Sequence, residues 1–480
     1  MISLRHVLTA LRLQDSLQRA IDSLSPKLLD TTLNGASTDS RLITPGGIFF
    51  AAKGDNTDGH RYVEQAFAAG ALLAIVEKPC PPYNIYTMET IQSARTLPLC
   101  LQVPNSIEAL QQIARYWRTQ LDLQVIGITG SIGKSSTKEL VASVLRQKYH
   151  TLKNRGNYNN EVGLPITLLE AGHGHEAAVL EMGFYVPGEI TFLCEIAQPL
   201  VGIVSNIGTV HAERAGSQQE IVHGKTELVQ ALPPHGTAIL NYDDELVRPM
   251  SKDTCAKVFY YGLDPQADLW VDDIQSPGLE GLCFTFHHNG QSIPVHTPLV
   301  GRHNVYTALR AAAAGLAFNL TWDEILHGLQ QADAQLRLSV MHLPNGAVLL
   351  DDTYNAAPES TCAALDLLND MILPTPTSRR IAVLGEMYEL GQYEVSGHQL
   401  VGTHAVETCD FLIGVGDRSK IITETALRSG MPAEQVHWLA EVSQAISFLR
   451  ETLAENDIVL VKGSHGLRMD RITRALEKEL

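Results

Sequence analysis

A recurrence narrows the folds open to this chain more than any other feature: short apolar runs end in a glycine-rich or polar loop, and a helix-like segment follows each. The clear runs are GIFFAAKG (47–54), LQVIGITG (123–130), AAVLEMG (177–183), VGIVSNIG (201–208), AVLLDDTYN (347–355), RIAVLGEM (380–387), FLIGVGD (411–417) and IVLVKGS (458–464). That order predicts parallel α/β layers, in which ligands sit beyond the carboxyl ends of the strands. With 480 residues, 45% of them hydrophobic, there is apolar material for about two to four packed domains. Prolines at 79, 81, 82, 98 and 104 predict a hinge, and a change of element type near Asp333 predicts a second boundary. The expected units are 1–96, 97–332 and 333–480, the last built on four strand-and-loop repeats.

Charge removes one class of function. Lys+Arg 36 against Asp+Glu 53 leaves −17, a field that repels a phosphodiester backbone. No nucleic-acid partner is expected, and any anionic ligand must be held by a few cations and backbone amides at one site. The seven cysteines contain no C-x-x-C pair, which disfavours a zinc knuckle or disulfide framework and suits a reducing cytoplasm. The first twenty residues read as an amphipathic helix without the order of a secretory leader, and no run reaches the roughly 18 apolar residues of a membrane span. A cytoplasmic monomer is the expectation.

The chemistry starts at Gly127-Ile-Thr-Gly-Ser-Ile-Gly-Lys-Ser-Ser136, between an apolar run and the helical pattern KELVASVLRQ. This is the context of a phosphate-binding loop: Thr129, Gly130, Ser131, Gly133 and Ser136 surround a polyphosphate with backbone N–H groups, Lys134 adds charge and Ser135 can ligate magnesium. The usual motif has a glycine where this chain has Ile128. Glu181, ending its apolar run, is either a metal-approaching carboxylate or an ordinary strand-end acid. No N-K-x-D guanine signature occurs, which weighs against a GTP switch.

In SQQEIVHGKTELVQAL, Ile221, Lys225, Leu228 and Leu232 share one helical face. An ammonium on an apolar stripe either snorkels to the surface, the commoner fate, or reacts with CO2 to become a carbamate that can ligate a metal.

The segments TGSIGKSS, GNYNNEVGLPITLLE, LEMG, SNIGTVH, HGKTELV, GRHNVYTALRAAAA, DDTYNAAPES and VKGSHGLRMD together resemble the Mur ligases of peptidoglycan synthesis over nearly the whole chain. DTYNAAPES, with the absence of the D-N-P-R signature of the diaminopimelate- or lysine-adding enzyme, is similar to the branch that joins D-alanyl-D-alanine to UDP-N-acetylmuramoyl-tripeptide. The sequence departs from the family pattern at Ala357, where Asn-Ala-Asn-Pro is usual, and at Glu386, where G-D-M is usual. Both departures bear on substrate contacts rather than on the reaction class.

The resemblance implies three α/β domains: an N-terminal UDP-sugar-binding unit, a central parallel-sheet ATPase unit and a Rossmann-like C-terminal unit. It implies ATP and two magnesium ions. Ser135 and Glu181 would hold the first ion, and His211 with a carbamylated Lys225 the second. Lys134 would hold the triphosphate, Asn304 the adenine, and Arg337 and Asp352 the γ-phosphate region and ribose. Asp39, Ser40, Arg41, Phe49 and Lys53 would hold the UDP-sugar. His398, in a loop, and Lys462, at a strand end, are weaker candidates for the dipeptide. The rival readings are another amide ligase of this architecture, such as a folylpolyglutamate synthase, and a nucleotide-gated interaction protein.

Overall fold

The computed structural model describes residues 1–12, 16–54, 57–209, 212–331 and 338–479. Each apolar run named above supplies a strand. A first sheet of five parallel strands has the order Ala36–Ser37, Ile48–Phe50, Leu73–Val76, Leu99–Gln102, Ile85–Tyr86. The strand Leu99–Gln102 pairs with Leu73–Val76, so a break after residue 96 would cut this sheet. The first unit therefore runs at least to Gln102. Of the prolines that suggested a hinge, 79, 81, 82 and 98 lie in the connections between strands of this sheet and Pro104 precedes the next helix, all places where a missing N–H costs no ladder bond.

The helix Ser106–Thr119 then joins first and central units instead of separating them. Trp117 is fully buried and its Nε1 donates to the Ala171 carbonyl at 2.9 Å. One apolar core runs from Ile2 through Trp117 to Met250. The segment read as one amphipathic helix at the start of the chain contains two helices, Leu4–Ala10 and Ser16–Asp22.

The central sheet has nine strands. From Thr151–Lys153 the order is Ala177–Glu181, Gln124–Thr129, Val201–Val204, Thr237–Asn241, Lys257–Gly262, Leu269–Gln275, Leu282–His288 and Gln291–Thr297. All neighbours are parallel except the last three strands, which form an antiparallel ribbon. Its strands alternate buried and half-exposed positions, so a search for continuous apolar runs passes over them. Gln124–Thr129 lies between Ala177–Glu181 and Val201–Val204, so chain order reverses beside it, and a crevice opens at its carboxyl end.

The last sheet has six strands in the order Ser339–His342, Val348–Asp352, Ile458–Lys462, Arg380–Leu384, Phe411–Val415, Val436–Leu439. The expected four repeats are thus joined by two edge strands, one of them antiparallel. This sheet has apolar layers of its own on both faces. The boundary expected at 332/333 lies outside the described residues.

Candidate active site

The phosphate loop begins where the strand Gln124–Thr129 stops. Ile128 is a paired, fully buried strand residue, which explains why the usual glycine is missing: the turn opens two residues later. Gly130 has φ +143°, and a Cβ there would overlap the Ser205 hydroxyl. Gly133 has φ +79° and caps the helix Lys134–Leu145. A second loop clasps the first. The N–H groups of Ser131 and Ile132 donate to the carbonyl and side-chain oxygens of Asn206, both at 2.9 Å, and Ser205 Oγ donates to the Ile132 carbonyl at 2.7 Å. Thr129 is wholly buried, its Oγ1 donating to the Met182 carbonyl at 3.3 Å. It therefore shapes the loop from behind.

Cations and oxygen ligands converge on this loop. Lys134 Nζ donates to the carbonyl of Gly130 at 2.7 Å and of Ser131 at 3.2 Å. Ser135 Oγ donates to Glu181 Oε2 at 2.5 Å, and Asn159 Nδ2 donates to Glu181 Oε1 at 2.9 Å. Asn154 braces the backbone of Glu181 at both its N–H and its carbonyl, at 3.0 Å each. Glu181 is thus a positioned carboxylate beside a hydroxyl, a pair of hard oxygen donors of the kind magnesium takes. Asn154 and Asn159 carry no assignment from sequence, although Asn159 sits in the quoted GNYNNEVGLP segment.

Lys225 does not snorkel. It is fully buried, Nζ donates to the Gly130 carbonyl at 3.2 Å, and it lies 4.7 Å from the Phe184 ring centre. The short reach to Gly130 holds the amine inside. Burial, and then the nearby charge of Lys134, hold its pKa well below the usual lysine range.

The last sheet forms the facing wall. Lys462, a candidate for the dipeptide although a strand-end lysine is commonly solvated, is 3% exposed and pairs with Asp352 at 2.6 Å while donating to the Asn355 carbonyl at 2.9 Å. A cleft of about 1260 Å³ is lined by Ser131, Gly133, Lys134, Ser136 and Glu181 on one side and Asp352, Lys462 and Ser464 on the other. Asn304, at the start of the helix Asn304–Ala317, also lines it, its Nδ2 donating to the Val300 carbonyl at 2.8 Å. His211 and Arg337 lie outside the described residues.

The remaining candidates lie elsewhere. His398 is on the helix Glu394–Thr408, not in a loop. It is fully buried, with Nδ1 bonded to the Glu394 carbonyl at 2.7 Å and Nε2 accepting from the Met387 N–H at 3.2 Å. Both ring nitrogens are spent on structure. Asp39, Ser40, Arg41, Phe49 and Lys53 do not line the cleft. Arg41 is exposed and forks onto Asp39 at 2.9 and 2.6 Å, Ser40 Oγ donates to Gln65 Oε1 at 3.0 Å, and Lys53 is exposed. Phe49 is wholly buried in a small core with Ala51, Val63 and Ala74. Its ring cannot meet a ligand, because its strand is covered on both faces.

Residues 32–118 match the Mur ligase family catalytic domain, 128–315 the Mur ligase middle domain and 336–465 the Mur ligase glutamate ligase domain. A UDP-N-acetylmuramoyl-tripeptide–D-alanyl-D-alanine ligase of Synechocystis sp. is 34% identical over 451 residues, covering 94% of this chain and 93% of the relative. A crystal structure of MurF from Acinetobacter baumannii is 30% identical with a TM-score of 0.80, covering 97% of this chain and 98% of that one. MurF from Thermotoga maritima, solved with ADP, shares the fold at 24% identity and a TM-score of 0.77, covering 93% and 97%. Three consecutive domain matches and full-length identity above 30% show that this chain belongs to the Mur ligase family.

Proposed function

We propose that this chain joins D-alanyl-D-alanine to UDP-N-acetylmuramoyl-tripeptide, using ATP and forming ADP and phosphate. The observation that carries the reading is the full-length identity to ligases bearing that name, 34% over 94% of the chain, and the cleft between central and last sheets supports it.

A carboxylate does not acylate an amine at neutral pH, because oxide is a very poor leaving group. The peptide's terminal carboxylate therefore attacks the γ-phosphorus of ATP in line, ADP leaves, and an acyl phosphate forms. The free amine of the dipeptide attacks the acyl carbon, a proton is lost, and phosphate departs. Lys134 neutralises charge gathering on the phosphate oxygens, and the loop N–H groups hold them. Ser135 and Glu181 would hold one magnesium ion, and His211 and Lys225 the second. When bound, these ions screen the repulsion between the anionic carboxylate and the triphosphate. For Lys225 to serve, its neutral amine adds to CO2, forming an N–C bond and releasing a proton; its burial and depressed pKa favour that reactant form. Asn304 meets the adenine, while Arg337 and Asp352 reach the γ-phosphate region and the ribose. Asp39, Ser40, Arg41 and Lys53, with Phe49 only as buried support, hold the UDP-sugar on the first unit. Water is kept from the acyl phosphate by approach of the last unit.

Among the described residues no helix is long and apolar enough to cross a membrane. A cytoplasmic location remains part of the proposal, supported by seven cysteines free of disulfides, and so does a monomer.

The test is coupled ADP release with UDP-N-acetylmuramoyl-tripeptide, comparing D-alanyl-D-alanine with single amino acids. Turnover that requires the dipeptide is expected, with oxygen-18 from the peptide carboxylate appearing in phosphate. ADP formation at full rate without any amine acceptor overturns the reading.

A further inference from the structure

The helix Asn304–Ala317 packs an alanine-rich face against the helix Lys134–Leu145, and within that face sits one guanidinium. Arg310 is 3% exposed. Its Nη2 stands 3.1 Å from the point that a Cβ on Gly133 would occupy, so the side chain reaches the last turn of the phosphate loop. It also lines the cleft with Gly133, Lys134 and Thr307.

Very little on the protein satisfies this charge. Nη2 donates to Thr307 Oγ1 at 3.0 Å, the guanidinium also hydrogen-bonds the Tyr261 hydroxyl with Cζ 5.9 Å from that ring centre, and Nε has no hydrogen-bond partner among the described residues. Among the described residues no carboxylate forms an ion pair with it. Asp243 accepts from the Tyr306 hydroxyl at 2.8 Å and the Leu263 N–H at 2.7 Å, and Asp244 accepts from the N–H groups of Ile207 and Leu246 at 3.0 and 2.9 Å. A buried cation without a counter-ion is expensive. A guanidinium offers five N–H donors in a planar fork that matches a phosphate edge. The anion for which the adjacent loop is shaped is a polyphosphate.

We propose that Arg310 is a further nucleotide-binding residue, whose Nη2 and Nε donate to the polyphosphate beside Gly133, which in turn is the anionic partner the guanidinium lacks among the described residues. The assignment rests on the reading of the loop as the ATP site. Lys134 and Arg310 then grip the polyphosphate from two different helices, so bound nucleotide ties Lys134–Leu145 to Asn304–Ala317.

The test uses the full chain and three probes: ADP and inorganic tripolyphosphate by calorimetry, and adenosine by saturation-transfer NMR. Arg310→Met should weaken ADP and tripolyphosphate about tenfold or more, the loss expected for charge-assisted hydrogen bonds, and leave adenosine within about twofold. If Arg310→Met does not fold, Arg310→Lys keeps the charge and removes the fork, and a loss of about threefold or more for the two phosphate ligands alone is expected. Unchanged ADP affinity, or equal losses for ADP and adenosine, overturns the assignment. Lys134→Met separates the two layers of the argument. If it leaves ADP and tripolyphosphate binding intact, the loop reading itself fails; if it weakens them while the Arg310 variants do not, only the Arg310 assignment falls.

Discussion

Lys225 and Lys462 lie where an ammonium is costly, and each is resolved differently. Lys462 has Asp352 at 2.6 Å, whereas Lys225 has a carbonyl, an aromatic face and the like charge of Lys134 nearby. Sequence spacing put Lys225 on the apolar stripe correctly, but a stem long enough to snorkel leaves its destination open until the surrounding helices are placed. Lys225→Ala should lower magnesium-dependent kcat by about a hundredfold or more while ADP binding changes little, and added bicarbonate should not restore it, as expected when a ligand of a charge-stabilising ion is lost. A fully active alanine variant would remove the lysine from the site. His398 gives a pH dependence with a definite sign. Burial holds its pKa below the ordinary 6.5, with Glu394, Glu386 and Arg418 as its charged neighbours, so the unfolded chain takes up a proton before the folded one does. Its contribution is complete above pH 6.5 and is lost as pH falls below it, with a slope of up to about 1.4 kcal/mol per pH unit. Urea unfolding across that range should show the slope in the parent and a flatter one in His398→Gln.

The secondary-structure elements set where these side chains can act. The strand Gln124–Thr129 delivers the loop because it ends at the point where chain order in the central sheet reverses. Gly130→Ala would place a Cβ against the Ser205 hydroxyl at a φ of +143° and should cost on the order of 1–3 kcal/mol of stability. A lowered melting temperature and weakened ADP binding would check this, and an unchanged protein would refute the account of the clasp. Phe49→Ala distinguishes core from contact. It should destabilise by about 3–5 kcal/mol, as a large-to-small change does in a packed interior, and any rise in KM for the sugar nucleotide should vanish at temperatures where the variant is fully folded. The phenylalanine was legible as part of a strand. The lack of alternation in FFAA already marks a strand covered on both faces; which neighbours enclose the ring was not legible, because Ala51, Val63 and Ala74 meet it only through the fold.

Across the molecule, the first and central units share a continuous core through Trp117, while the last unit has its own. Its contacts with the middle include an N–H of Glu213 on the Glu389 carbonyl at 3.4 Å and a pair at 3.7 Å between the exposed Arg214 and the half-buried Glu389. Such a pair contributes about 0–1 kcal/mol, and Leu279 and Val300 of the middle pack against the last unit's core only as partly buried side chains. Small-angle scattering should show compaction when an ATP analogue and both substrates are present together, with the last unit moving and the first two staying fixed; an unchanged profile would rule this out. The phosphate loop, the runs that became strands, and the membership those motifs suggested were all set locally, because glycine spacing and apolar periodicity act over a few residues. The pairing of Leu99–Gln102 into the first sheet, the inward turn of Lys225, the pairing of Lys462 with Asp352 and the approach of Arg310 to Gly133 were decided only by tertiary packing. Each depends on which distant surface covers a residue, and burial and counter-charge are properties of that neighbour, not of the residue itself.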